Sequence, residues 1–180
     1  MKTKKDAIIV WGDWPLPAAY LAELGRVVIL WSALERQLDL ILGKLMGFND
    51  MVDMRPFIAF NHASFPQKLD ALGALCELLS AEHRHLSGCA KVVEQIRTAQ
   101  TLRNRFMHNG MTYDLESGVC QMGVGTARGK LKTRVDQVSL ADIQKATIAI
   151  SEAQSALHEL VLKTKREPGW KTARTEHPPA

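Results

Sequence analysis

No stretch of about 18 consecutive apolar residues occurs in this 180-residue chain, so nothing in it reads as a membrane span. The basic N-terminus, 1–6, is followed by an apolar run (7–11) too short for a signal peptide. Cysteine is scarce. Cys76, Cys89 and Cys120 are an odd number without metal-ligand spacing, which argues against a disulfide framework or a zinc site and reads as reduced thiols in a cytoplasmic protein. There is no P-loop, no Ser-His-Asp arrangement and no pair of carboxylates spaced for acid–base work. Gly123-Val124-Gly125 followed by Gly129 is no dinucleotide fingerprint, because it precedes a strand pattern rather than a helix. No internal repeat is present. Nothing in the residues calls for a cofactor or a metal.

Charge of one sign is nearly absent from the body of the chain. The formal net charge is +4, but residues 1–6 carry +2 and residues 163–180 carry +3, which leaves −1 for 7–162. The basic pI is therefore a property of the ends and says little about nucleic acid by itself.

What the chain does have is helical periodicity. After an irregular arm over 1–17, broken by Pro15 and Pro17, Leu24, Val27, Trp31, Leu34, Leu38, Ile41 and Leu45 recur at spacings of three and four. They predict a first long helix from Ala18 to Met46, about 40 Å in length, stopped by Gly47. Residues 48–63, with Pro56 inside, read as a short helix or an irregular crossover. Ser64-Phe65-Pro66-Gln67 fits a capping box, which opens a second long helix with Leu69, Leu72, Leu75 and Leu79 on its core face. A polar connection over 81–88 leads to a third long helix, Cys89 to His108, with Asn109-Gly110 as its terminating pair. The fourth starts after Ser139, with Asp142 three residues on, and carries the stripe Ile143, Ala146, Ile150, Ala153, Leu157 and Leu160. Between the third and fourth, residues 111–138 hold glycines among Val, Thr, Met and Tyr and read as two or three short strands, a hairpin on the flank. The residues from 163 on show no periodicity and read as a disordered basic tail.

Function concentrates on the third long helix. Glu94, Arg97, Thr101, Asn104 and His108 form one polar stripe, opposite Val92, Ile96, Ala99, Leu102 and Phe106. Arg103 breaks the pattern, because the series Val92, Ile96, Ala99 places its next core position there. A guanidinium does not lose its charge, and burying it alone costs several kcal/mol, so Arg103 needs a partner, a cleft or another subunit. Glu35, on the apolar face of the first helix between Trp31 and Leu38, is the expected partner. His108 lies in the last helical turn, and histidine both takes and gives protons at cellular pH. Asn104, one turn earlier, can orient the imidazole or a ligand through its amide.

Arg103-Asn104-Arg105-Phe106-Met107-His108 reads R-N-x-x-x-H at the end of a long helix in a mainly helical chain. This resembles the ribonuclease motif of the HEPN superfamily (higher eukaryotes and prokaryotes nucleotide-binding domain), and the resemblance covers roughly 18–162. It implies an all-α fold, an up-and-down four-helix bundle with a small β-hairpin insert between the third and fourth long helices. It also implies a metal-independent endoribonuclease acting as a homodimer with a composite cleft, in a toxin or host-defence setting. Partners would be RNA and, for a toxin, a nucleotidyltransferase-type antitoxin. In that reading His108 is general base on the ribose 2′-hydroxyl or general acid on the leaving 5′-oxygen, Arg103 stabilises the phosphorane, and Asn104 positions His108 or the phosphate. The insert departs from the family's simplest pattern. A non-catalytic HEPN-like module that binds nucleotide or RNA, or mediates dimerisation, is the alternative.

Arg128, Lys130, Lys132 and Arg134 alternate at period two and would share one strand face, opposite Leu131, Thr133 and Val135. With Arg97 and Arg105 they are the candidate RNA-binding residues. A solvated edge strand protected from aggregation is the competing reading of the same stripe. Tyr113 is a candidate for base stacking. His62, His83, His85 and His158 read as surface residues, since none has metal-ligating neighbours at suitable spacing.

Overall fold

The computed structural model describes residues 16–48, 54–126, 129 and 132–162. Helix α1 (Ala18–Leu45) starts where Pro17 ends the extended chain, and the Pro17 carbonyl accepts from the amides of Tyr20 and Leu21 at 2.9 and 3.2 Å. It stops in a Schellman arrangement. Phe48 N–H donates to the Gly43 carbonyl and Gly47 N–H to that of Lys44, both at 3.0 Å, with Gly47 at φ +89°, where a side chain would be strained. The crossover contains a six-residue helix, α2 (Arg55–Phe60), whose buried Pro56 lies on Gly43 of α1. The expected capping box opens α3 (Phe65–Leu79), with Ser64 and Gln67 satisfying each other's backbone amides. A short 3₁₀ turn, Arg84–Gly88, then feeds α4 (Cys89–Met107).

The insert is a three-stranded antiparallel meander, not a simple hairpin: β1 (Gly110–Asp114), β2 (Val119–Thr126) and β3 (Lys132–Gln137) in the order β1-β2-β3. Gly110 joins β1 at once and is not among the positive-φ glycines, so the expected Asn109-Gly110 terminator is only half right. Asn109 caps α4 through its side chain, donating to the Arg105 carbonyl at 2.6 Å, and the chain enters the sheet directly. The register pairs Tyr113 with Cys120, Met111 with Met122, and Met122 in turn with Asp136. Paired residues share a face, so one face carries Met111, Tyr113, Cys120, Met122, Val124, Asp136, Arg134 and Lys132. Cys120 and Met122 on it are fully buried. The sheet's inner face is thus apolar at its base and basic toward the β2–β3 end.

Helix α5 (Leu140–Leu162) is capped by Ser139 and Asp142 and packs against both α1 and α4, while α3 packs against α1 and α4. The expected stripes line this one core, with Val27, Leu34, Leu38, Ile96, Ala99, Ile143, Ile150 and Leu157 among its fully buried members. Polar links join its helices. Glu23 on α1 accepts from Thr147 on α5 at 2.6 Å, Gln37 on α1 donates to the Gln154 carbonyl of α5 at 3.1 Å, and Lys68 on α3 stands 2.6 Å from Asp39 on α1. The described residues are mainly helical, as expected, with five α-helices and a small sheet among them. No helix among the described residues is long and apolar enough to cross a membrane. The expected arm lies outside the described residues except for Leu16, which is buried, and Pro17; the expected tail lies outside them altogether.

Candidate functional site

The C-terminal turn of α4 brings Arg103, Asn104 and His108 into direct contact. Arg103 Nη1 donates to Asn104 Oδ1 at 3.0 Å and stands 3.2 Å from His108 Nε2. One guanidinium nitrogen therefore ties together all three residues of the R-N-x-x-x-H segment. His108 is exposed, whereas Arg103 and Asn104 are half-buried. A guanidinium can only donate, so this contact is a hydrogen bond in the tautomer whose Nε2 accepts.

The expected Glu35–Arg103 ion pair does not form. No ion pair joins the two, and the Arg103 guanidinium instead lies over the Trp31 ring, 5.6 Å from its centroid, one helical turn before Glu35 on α1. The reason is geometric. Trp31 is held in the core against Phe65, with ring centroids 4.5 Å apart, and presents a flat face where an arginine from α4 arrives. A guanidinium plane stacks on such a face and keeps its remaining donors free. Arg103 Nε is buried without a hydrogen-bond partner. The residue is thus placed by a cation–π contact and by its own helix, with no acid paired to it among the described residues. Glu35 is half-buried, and no ion pair is found for it among the described residues.

On the other flank of His108, Arg105 pairs with Asp136 of β3 at 3.5 Å. Arg134 grips the same carboxylate from the strand, Nε to Oδ1 at 3.0 Å and Nη2 to Oδ2 at 3.3 Å. Lys132 and Arg134 are exposed. Arg128 and Lys130 lie outside the described residues. The shared face expected for the alternating basic residues holds for Lys132 and Arg134, but it is the face that turns inward farther down the sheet. Arg97 belongs elsewhere. It pairs with Asp70 of α3 at 3.2 Å and lines an open groove of about 510 Å³ between α3 and α4, with Cys76, Glu77 and Cys89. Tyr113 is half-buried against Tyr20, so it serves packing rather than presenting a free ring.

The sequence reading missed Trp31 as the platform for Arg103 and Asp136 as the clasp for two arginines. The signal for Asp136 was present, as the single acid following Arg134 at strand spacing. The signal for Trp31 was hidden by its fit to the core pattern.

Cys76, Cys89 and Cys120 are free and buried. The hydrogen bond to Cys89 and burial push the Cys76 thiol up, the same bond lowers Cys89, and burial raises Cys120. His83 and His85 face each other with ring centroids 5.8 Å apart. Among the described residues no group of three or more His, Cys, Asp or Glu could hold a metal ion. Comparison with protein-family models, with curated proteins and with solved structures found no match.

Proposed function

We propose that the chain is an HEPN-type, metal-independent endoribonuclease whose catalytic group is His108, supported by Arg103 and Asn104. The observation that carries this reading is the Arg103 Nη1 bridge to both Asn104 Oδ1 and His108 Nε2 at an exposed helix end. Four long helices around one core, with a small sheet between the last two, support the up-and-down four-helix arrangement of that superfamily.

In this mechanism a phosphodiester enters beside Arg103. The guanidinium turns its fork to the non-bridging oxygens and releases the His108 Nε2 lone pair. His108 then takes the proton of the ribose 2′-hydroxyl, the 2′-oxygen attacks phosphorus, and the P–O5′ bond breaks. The products are a 2′,3′-cyclic phosphate and a 5′-hydroxyl. Arg103 stabilises the charge of the phosphorane, and Trp31 behind it keeps the guanidinium from drifting. The leaving 5′-oxygen needs a proton at the same moment, and one imidazole is not both base and acid in one step. A second chain supplying a second His108 meets that need, so the active species is a homodimer. A toxin or defence role, with a nucleotidyltransferase-type antitoxin as partner, belongs to the same reading.

The test is cleavage of RNA by the purified protein in EDTA, beside His108→Ala. Cleavage that survives chelation, yields cyclic-phosphate ends and vanishes in the variant is the expected result. One observation favours the binding-only alternative: the Nε2 lone pair of His108 is already engaged by Arg103. RNA bound tightly by both proteins and cut by neither would decide for that module.

A further inference from the structure

Two arginines from different elements converge on one carboxylate beside the candidate site. Arg105 comes from the last turn of α4 and Arg134 from β3, and both reach Asp136. Their side chains are 39% and 71% exposed, and that of Asp136 is 21% exposed. Asp136 therefore lies beneath the two guanidinium groups and holds them side by side toward solvent. Arg134 uses Nε and Nη2 on the carboxylate, which leaves Nη1 with no partner among the described residues. The cluster has one positive charge in excess.

Its position relative to His108 follows from the backbone. On the α4 wheel, at about 100° per residue, position 105 lies about 60° from 108 on one side, and position 103 lies about 140° away on the other. His108 is thus flanked by Arg103 on the α1 side and by Arg105 on the β3 side. The chain enters β1 at Gly110, whose register partner is Gly123, which pairs in turn with Val135. Two strand spacings, about 10 Å, separate Gly110 from the backbone between Arg134 and Asp136. A cationic track therefore crosses the end of α4 from Arg103 past His108 to Arg105, Arg134 and Lys132.

We infer that the Arg105–Asp136–Arg134 cluster is a phosphate subsite that holds the backbone of a single RNA strand next to His108, with Lys132 extending it along β3. This rests on the ribonuclease reading and gives its substrate a direction: the strand leaves His108 along the inner face of β3, not along the polar stripe of α4 toward Arg97. The Asp136 carboxylate holds both guanidinium groups in place, so a phosphate oxygen meets donors already positioned, Nη1 of Arg134 among them. The subsite contacts backbone and not bases, so it sets register without reading sequence.

The experiment measures binding of a fluorescein-labelled, fully 2′-O-methylated RNA oligonucleotide, which lacks the attacking hydroxyl, by the full-length protein across a salt series. Arg134→Ala and Arg105→Ala are each expected to weaken binding about tenfold and to lower the slope of log K against log salt by about 0.7 to 1. Arg134→Lys should keep the slope of the unaltered protein but regain only part of the affinity, because an ammonium lacks the fork. Arg97→Ala removes the same charge about 12 Å from Arg105 along α4 and should change affinity less than about twofold. Thermal melts alongside check that the exposed substitutions leave the fold intact. No binding by the unaltered protein, equal binding by Arg134→Ala, or an equal loss in Arg97→Ala would overturn the subsite. If Arg134→Ala loses binding while unmodified RNA is left uncut by the wild type, the subsite stands and the nuclease reading falls.

Discussion

Arg103 serves two ends that pull against each other. Its guanidinium is half-buried beside Trp31 with Nε unpartnered, which costs stability, while Nη1 organises Asn104 and His108. An unsatisfied buried donor costs about 1–3 kcal/mol, so replacing Arg103 with an apolar side chain of similar length removes a penalty along with a charge. Arg103→Met is therefore expected to melt at the same temperature as the wild type or higher, while under the proposed nuclease function RNA cleavage falls by about a hundredfold or more. A melting point several degrees lower would show that Arg103 is structural. Lys68 is the opposite case. Its ammonium lies 2.6 Å from Asp39 with both side chains nearly buried, an approach of charges rather than a well-directed hydrogen bond. Lys68→Met strands the Asp39 charge and should cost about 3–5 kcal/mol in urea unfolding, and adding Asp39→Leu should recover most of it.

At the scale of elements, stability is set where helices begin, end and cross. A Cβ at Gly43 would lie 2.6 Å from Cβ of Pro56, and a change of ring pucker moves Cγ but leaves that Cβ nearly in place. Gly43→Ala should displace α2 from α1 and cost about 1–3 kcal/mol, read as a lower urea midpoint. The α5 cap makes a pH prediction. The Ser139 hydroxyl and amide, with Lys145 behind them, hold the Asp142 carboxyl down at about 2, below the ordinary 3.8. A carboxylate lowered on folding stabilises above its unfolded pKa, so the cap is at full strength above pH 4 and is lost as pH falls from about 4 toward 2. The Asp142 side chain is partly exposed, so screening reduces its contribution to about 1 kcal/mol, and Asp142→Ala should remove that much at neutral pH and only a small part of it at pH 2, where the folded carboxyl is half protonated. Equal loss at both pH values would exclude the ionised cap. The four long helices were legible to within a residue or so at their ends, because apolar spacing and caps are local signals. The strand-rich insert was legible as a region but not as a three-stranded meander, because its register depends on which residues meet across strands.

For the molecule as a whole, one core receives side chains from α1, α3, α4, α5 and the inner face of the sheet. Leu157 is wholly buried in it, and Leu157→Ala should cost about 2–5 kcal/mol with the transition remaining a single step. The nuclease reading adds a prediction at this scale. Specific activity should rise with protein concentration as dimers form, and light scattering should report twice the chain mass where activity is full. A monomer that cleaves at full rate would exclude a shared cleft.

The sequence by itself determined the helices, their buried faces, the glycine stop at 47, the capping residues Ser64 and Ser139, and the segment Arg103 to His108 as the chemically pointed part of the chain. Each of these follows from spacing within about one turn or from the conformational range of a single residue. Only the tertiary structure decided what Arg103 meets, because Trp31 and Glu35 are both admissible partners one turn apart on α1. The same holds for Asp136, which joins Arg105 and Arg134, residues 29 positions apart, once β3 folds back toward the end of α4. Contacts of that kind depend on strand register and helix packing, which long-range burial fixes and local sequence does not.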